Sequence, residues 1–139
     1  MANSLMTVDA ELNALLRRMS PVALRKVLRQ AARYLRQSNA KRIRAQINAD
    51  GSLYAPRKPS PIYGKRPKRR MLLGYARRIR DHVDNNEAVV GIFGRMGRLG
   101  AVHDQGRVER GIRYPARNLI SLPDADKQVV LQMLREAVA

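Results

Sequence analysis

Residues 57–80 read RKPSPIYGKRPKRRMLLGYARRIR, a stretch without a single Asp or Glu. Its basic residues are Arg57, Lys58, Lys65, Arg66, Lys68, Arg69, Arg70, Arg77, Arg78 and Arg80; Pro56 stands just before it, and Pro59, Pro61, Gly64 and Pro67 punctuate its first half. Proline fixes φ and removes a backbone donor, so neither a helix nor a central strand runs through such a segment. The middle of the chain therefore reads as an extended basic arm at about 52–75, held by a folded body on either side. A connection of that length is functional or disordered in a compact domain, and the arm is expected to order only against a partner. Tyr54, Tyr63 and Tyr75 lie at its ends and in its middle. Tyr and Arg are the residues enriched in interface cores, and the same pairing suits stacking on single-stranded bases.

Working outward, 139 residues correspond to one domain, 1–139. A chain of this size buries roughly 68% of its unfolded surface. With one Phe, five Tyr and no Trp, the core is aliphatic and modest. Lys plus Arg is 28 and Asp plus Glu is 11, a net charge of +17. Such a charge repels itself within a monomer and attracts polyanions or acidic protein surfaces. Arg far outnumbers Lys and suits bidentate contact to carboxylate and phosphate alike. The absence of Cys excludes disulfides and thiolate metal sites. No apolar run approaches the roughly 20 residues that span a bilayer. Residues 1–6 lack a secretory pattern, so the chain is expected to stay in the cytoplasm where it is made.

The flanks carry periodic signals. Val8, Leu12, Leu15, Leu16 and Met19 form one stripe, predicting a helix over 8–19 capped by Thr7. Ser20-Pro21 is a restart signal for a second helix from 21 to about 48, closed by the Asp50-Gly51 turn. Residues 71–73 read as a short apolar anchor. Alternation beyond it predicts a β-hairpin, 78–83 with 87–93, around Asp84-Asn85-Asn86. Gly91, Gly94, Gly97 and Gly100 read as a flexible loop, followed by a short helical segment at 101–105 that stops before Gly106. Residues 112–114 and 118–122 are expected strands separated by Pro115, and a last helix occupies 123–138. The sum is an α+β domain: two N-terminal helices, a small mainly antiparallel sheet, a C-terminal helix and a long basic central arm.

Catalytic and cofactor signals are weak. His103-Asp104 are sequence neighbours, but a nucleophile, base and orienter must converge in space. The reading for His103 is a packed or hydrogen-bonded side chain at a turn. Two His and scattered carboxylates provide no regular metal spacing, and the glycines match neither phosphate-loop fingerprint. No cofactor, metal, small-molecule ligand or membrane is expected. Two function classes stay open: an assembly protein whose arm clasps a neighbour, and a nucleic-acid-binding protein using the Tyr/Arg-rich arm.

The order of motifs adds a resemblance. Residues 49–58 read ADGSLYAPRK; a basic linker, a hairpin and GAVHDQG at 100–106 follow; YPARNL at 114–119 precedes a helix beginning near Asp124. This order resembles the virion-morphogenesis or tail-completion family of contractile-tailed bacteriophages over nearly the whole chain. The chain departs from that pattern at Tyr54, where the family tends to have Trp, near Gln105, where it has an aromatic, and at Asn118-Leu119, where it has Pro-Phe. The resemblance implies a non-catalytic structural protein at the neck of a virion. It implies a homo-oligomeric ring, commonly sixfold, that touches tail-terminator, tail-tube or head-connector proteins close to packaged DNA. Partner contact would then fall on Tyr54, Arg57, Lys58, Tyr63, Lys65, Arg66, Lys68, Arg69, Arg70, Arg77 and Arg78. Asp50, Gly51, His103, Gly106, Pro115 and Arg117 would be structural, with Arg117 fixing a turn by bonding carbonyls or a carboxylate.

Overall fold

The longest element is the 25-residue helix Pro21–Ala45. The Ser20 hydroxyl accepts the Ala23 amide at 3.2 Å and Pro21 occupies the first turn, where its missing N–H is harmless. The computed structural model describes residues 2–56, 70–84 and 87–138, with backbone alone at 2–9 and 109. In chain order the elements are α1 (Ala2–Arg17), α2 (Pro21–Ala45), α3 (Leu73–Ala76), β1 (Arg80–Val83), β2 (Ala88–Gly91), α4 (Gly94–Gln105), β3 (Val108–Glu109), β4 (Ile112–Arg113) and α5 (Asp124–Val138). The class is α+β, with two separate two-stranded antiparallel sheets. Arg80 pairs with Gly91 and Val83 with Ala88 in one, and Val108 with Arg113 in the other.

Helix α2 is the spine. Its first half packs with α1 and α5 in a cluster built on Leu15, Val27 and Leu134. Its last turns join a second cluster with Tyr75, Ala76, Ile79 and Leu119, through Ala40 and Ile43. Between the two lies a polar layer. Asp126 of α5, only 4% exposed, accepts bonds from Tyr34 (3.0 Å), Ser38 (2.9 Å) and Arg42 (2.8 Å) of α2. Burial pushes the Asp126 carboxyl up, but the bonds from Arg42, Ser38 and Tyr34 outweigh it and hold it below the usual carboxylate range.

Several boundaries differ from the sequence expectation. Helix α1 starts at Ala2, so Thr7 lies inside it rather than capping it. Helix α2 ends at Ala45, because Gln46 turns left-handed at φ 61° and its amide bonds back to Arg42 and Ile43. The β1–β2 hairpin is shorter at both ends than 78–83 with 87–93. The glycine series at 91–100 is not a loop: most of it is the first two turns of α4. Small residues are needed there for close approach. A Cβ at Gly97 would stand 2.2 Å from the Ile92 carbonyl oxygen, and one at Gly100 would stand 3.1 Å from the Tyr75 ring.

Residues 118–122 are not a strand either. The amides of 117–121 go to acceptors that no sheet provides: the His103 carbonyl (2.8 Å), Asn48 Oδ1 (3.0 Å), Asp104 Oδ1 (2.7 and 3.2 Å) and Asn39 Oδ1 (2.9 Å). Side chains of three distant positions have replaced the ladder, so the apolar Leu119 and Ile120 enter the core from irregular backbone.

Helix α4 stops at Gly106, which adopts φ +68° and bonds its amide to Val102. A Cβ there would also lie 2.7 Å from the Ala116 nitrogen. Gly106→Ala is expected to destabilise the body by about 2 kcal/mol through left-handed strain and this clash. Urea denaturation checks it; an unchanged midpoint would refute the account.

Candidate partner-docking site at the base of the arm

Residues 54–56 and 70–72, which flank residues 57–69, are both fastened to the end of α2. Gln46 does most of this. Its carbonyl accepts the Tyr54 amide at 2.7 Å. Its side-chain amide pairs with the backbone of Met71, accepting from Met71 N at 2.6 Å and donating to Met71 O at 2.9 Å. Arg70 adds a bond from Nη1 to the Arg44 carbonyl at 3.2 Å.

The 47–53 turn prepares the exit. Asn48 N bonds to Ser52 O, Gly51 takes φ +88°, and Asp50 Oδ1 accepts the Ser52 amide and hydroxyl. Those Ser52 bonds hold the Asp50 carboxyl below its ordinary range. Ile47 bridges Leu53, and the Asn118 amide donates to Asn48 Oδ1 while Asn118 Oδ1 accepts the Ala49 amide, which ties the turn to the 117–121 segment. Tyr54, expected at an interface, is 7% exposed within the body, and its hydroxyl donates to the Asn118 carbonyl. Burial, with Asp104 nearby, pushes its pKa up to about 12, so it stays a donor across the physiological range.

Arg117 is 3% exposed. Its Nε donates to Ala55 O at 2.9 Å and its Nη2 to Pro56 O at 3.1 Å. The expectation for it is bonding to carbonyls or a carboxylate; in the structure both bonds go to backbone carbonyls, those of the two residues before residue 57. His103 lies behind it in α4, edge-on to Tyr114 at 5.2 Å and to Tyr75 at 6.4 Å. Its Nδ1 is buried without a hydrogen-bond partner among the described residues. Burial, and then the Arg117 charge, lower its pKa and keep it neutral. The Asp104 carboxylate is taken up by the Leu119 and Ile120 amides rather than by His103. Among the described residues no three His, Asp or Glu are grouped as a metal site.

Beside Pro56 opens a groove of about 530 Å³ lined by Gly106, Val108, Tyr114, Pro115 and Ala116. The β3–β4 hairpin at its edge leaves Val108 59% and Ile112 50% exposed. Arg70, Arg77 and Arg78 are also exposed. Arg57, Lys58, Tyr63, Lys65, Arg66, Lys68 and Arg69 lie outside the described residues. Of the positions expected to be structural, Asp50, Gly51, His103, Gly106, Pro115 and Arg117 all lie among the described residues; Gln46, Asn48 and Asn118, which also tie these segments together, carry no such expectation from the sequence. Gln46 had one local signal, its place just before the Asn48–Gly51 turn; its partners at 54 and 71 are not deducible from spacing.

Residues 4–139 match the model of the phage virion morphogenesis family. The chain is also 29% identical over 143 residues to the tail completion protein S of Escherichia phage P2, covering 95% of each chain. No solved structure matches.

Proposed function

This chain belongs to the phage virion morphogenesis family, and from that premise we propose that it completes the tail and joins it to the head by protein–protein contact, without catalysis. The carrying observation is the double fastening of the arm. Gln46 and Arg117 hold the two segments that flank residues 57–69, at 54–56 and at 71. An apolar groove stands beside the exit, and aromatic, proline and exposed aliphatic surface next to Arg is the composition of a protein interface. We read the assembly as a ring, sixfold, at the virion neck, in which each arm lies on the adjacent subunit or on the tail-terminator, tail-tube or head-connector protein. Heterologous contacts of this kind close into rings when the rotation allows.

The test replaces residues 57–69 by a Gly/Ser linker of equal length in the phage. The body should melt within a few degrees of wild type, while electron microscopy of lysates shows filled heads and separate tails. Normal infectious particles from that variant would sink the proposal.

A further inference from the structure

Helix α2 has two faces of opposite character. Val27, Ala31, Ala32, Asn39, Ala40 and Ile43 are buried. On the other side Lys26, Arg29, Arg33, Lys41 and Arg44 are all exposed, with Gln30 and Gln37 between them. At 3.6 residues per turn these positions fall within about 120° of the helix circumference, a band with the buried Ala40 inside it. The helix contains no Asp or Glu. None of the five side chains has an ion-pair or hydrogen-bond partner among the described residues, whereas Arg36 and Arg42 of the same helix are paired with Asp81 and Asp126. Like charges at helical i,i+3 and i,i+4 spacing repel and weaken the helix by a few tenths of a kcal/mol per pair. The row therefore works against its own subunit: Glu136 of α5 lines the same hollow as Lys26, but no carboxylate among the described residues pairs with any of the five.

Shape decides between the two kinds of acidic partner. From Lys26 to Arg44 the row runs about 27 Å, the rise of about eight base pairs of B-DNA. An interface with an acidic protein would carry an apolar or aromatic core and be poor in Lys. Here glutamines and the buried Ala40 separate the cations; one exposed apolar side chain, Val22, stands on this face a turn before Lys26, and the others, Phe93, Leu99, Val108 and Ile112 among them, lie on other segments. We propose that the outward face of α2 binds the phosphate backbone of double-stranded DNA without reading its sequence. This is a binding activity separate from the protein contacts of the arm.

Fluorescence anisotropy with two unrelated duplexes tests it, using the full chain and a salt series between about 50 and 200 mM. One variant combines Lys26→Gln, Arg29→Gln, Arg33→Gln, Lys41→Gln and Arg44→Gln; Gln is a good helix former, so α2 persists. A control variant removes the same charge elsewhere: Arg17→Gln, Arg18→Gln, Arg95→Gln, Arg98→Gln and Arg107→Gln. The slope of log affinity against log salt should fall by about four in the α2 variant and by less than about one in the control, equally for both duplexes. Equal slopes in the two variants would overturn the proposal. So would tighter binding of the wild type to poly-glutamate than to a duplex of the same charge, which would assign the face to an acidic protein.

Discussion

Asp126→Asn is expected to lower the unfolding free energy by about 3 kcal/mol, because it leaves the Arg42 guanidinium partly buried with its counter-charge gone. The Arg42–Asp126 pair is 2.8 Å long, with side chains 17% and 6% exposed, and the same carboxylate also receives Ser38 and Tyr34. By contrast, the exposed Arg135–Glu11 pair contributes under about 1 kcal/mol. Urea denaturation of Asp126→Asn, Arg42→Met and Asp126→Leu/Arg42→Met separates the terms. The double replacement should recover much of the loss, since it removes both buried charges together. The pH dependence has a definite sign. The folded carboxyl titrates below its unfolded value of about 3.9, so its contribution is complete above that pH and disappears as pH falls through the lower folded pKa. Asp126→Asn should lack this acid limb; an identical acid profile would refute the assignment.

Arg117→Met should be nearly as severe, at about 3 kcal/mol, and should also disable joining of heads to tails. Two charge-assisted bonds to Ala55 and Pro56 carbonyls vanish, each of a kind contributing about 1.5–3 kcal/mol, while part of the space is refilled. Arg117→Lys rescues little, because an ammonium on a flexible stem does not reproduce the guanidinium fork that reaches both oxygens. Urea denaturation measures the first effect and particle counts by electron microscopy the second. A variant of wild-type stability that still leaves heads and tails unjoined would assign Arg117 to direct partner contact instead of to the arm's departure.

Local signals gave the helices and distant ones did not give the loops. Ser20-Pro21 announced α2 because the cap bond to Ala23 spans three residues. The α5 helix was equally plain from Val130, Met133, Leu134 and Val138. The glycines of α4 misled, because glycine serves both mobility and close approach, and only the positions of Ile92, Tyr75 and Leu119 reveal which. The 118–122 segment has the composition of a strand, yet its amides bond to side chains at 39, 48 and 104, separations that no window of sequence contains. Arg117 was legible in kind, wedged after Pro115-Ala116, while its carbonyl partners 62 and 61 residues upstream were not.

Gln46 holds residues 54 and 71 through their backbone atoms alone, so these two anchors do not depend on the letters of the sequence between them. Doubling the length of such an excursion adds only about 0.6 kcal/mol of closure entropy. A longer or shorter stretch between the two anchors therefore changes the closure entropy of the scaffold by little.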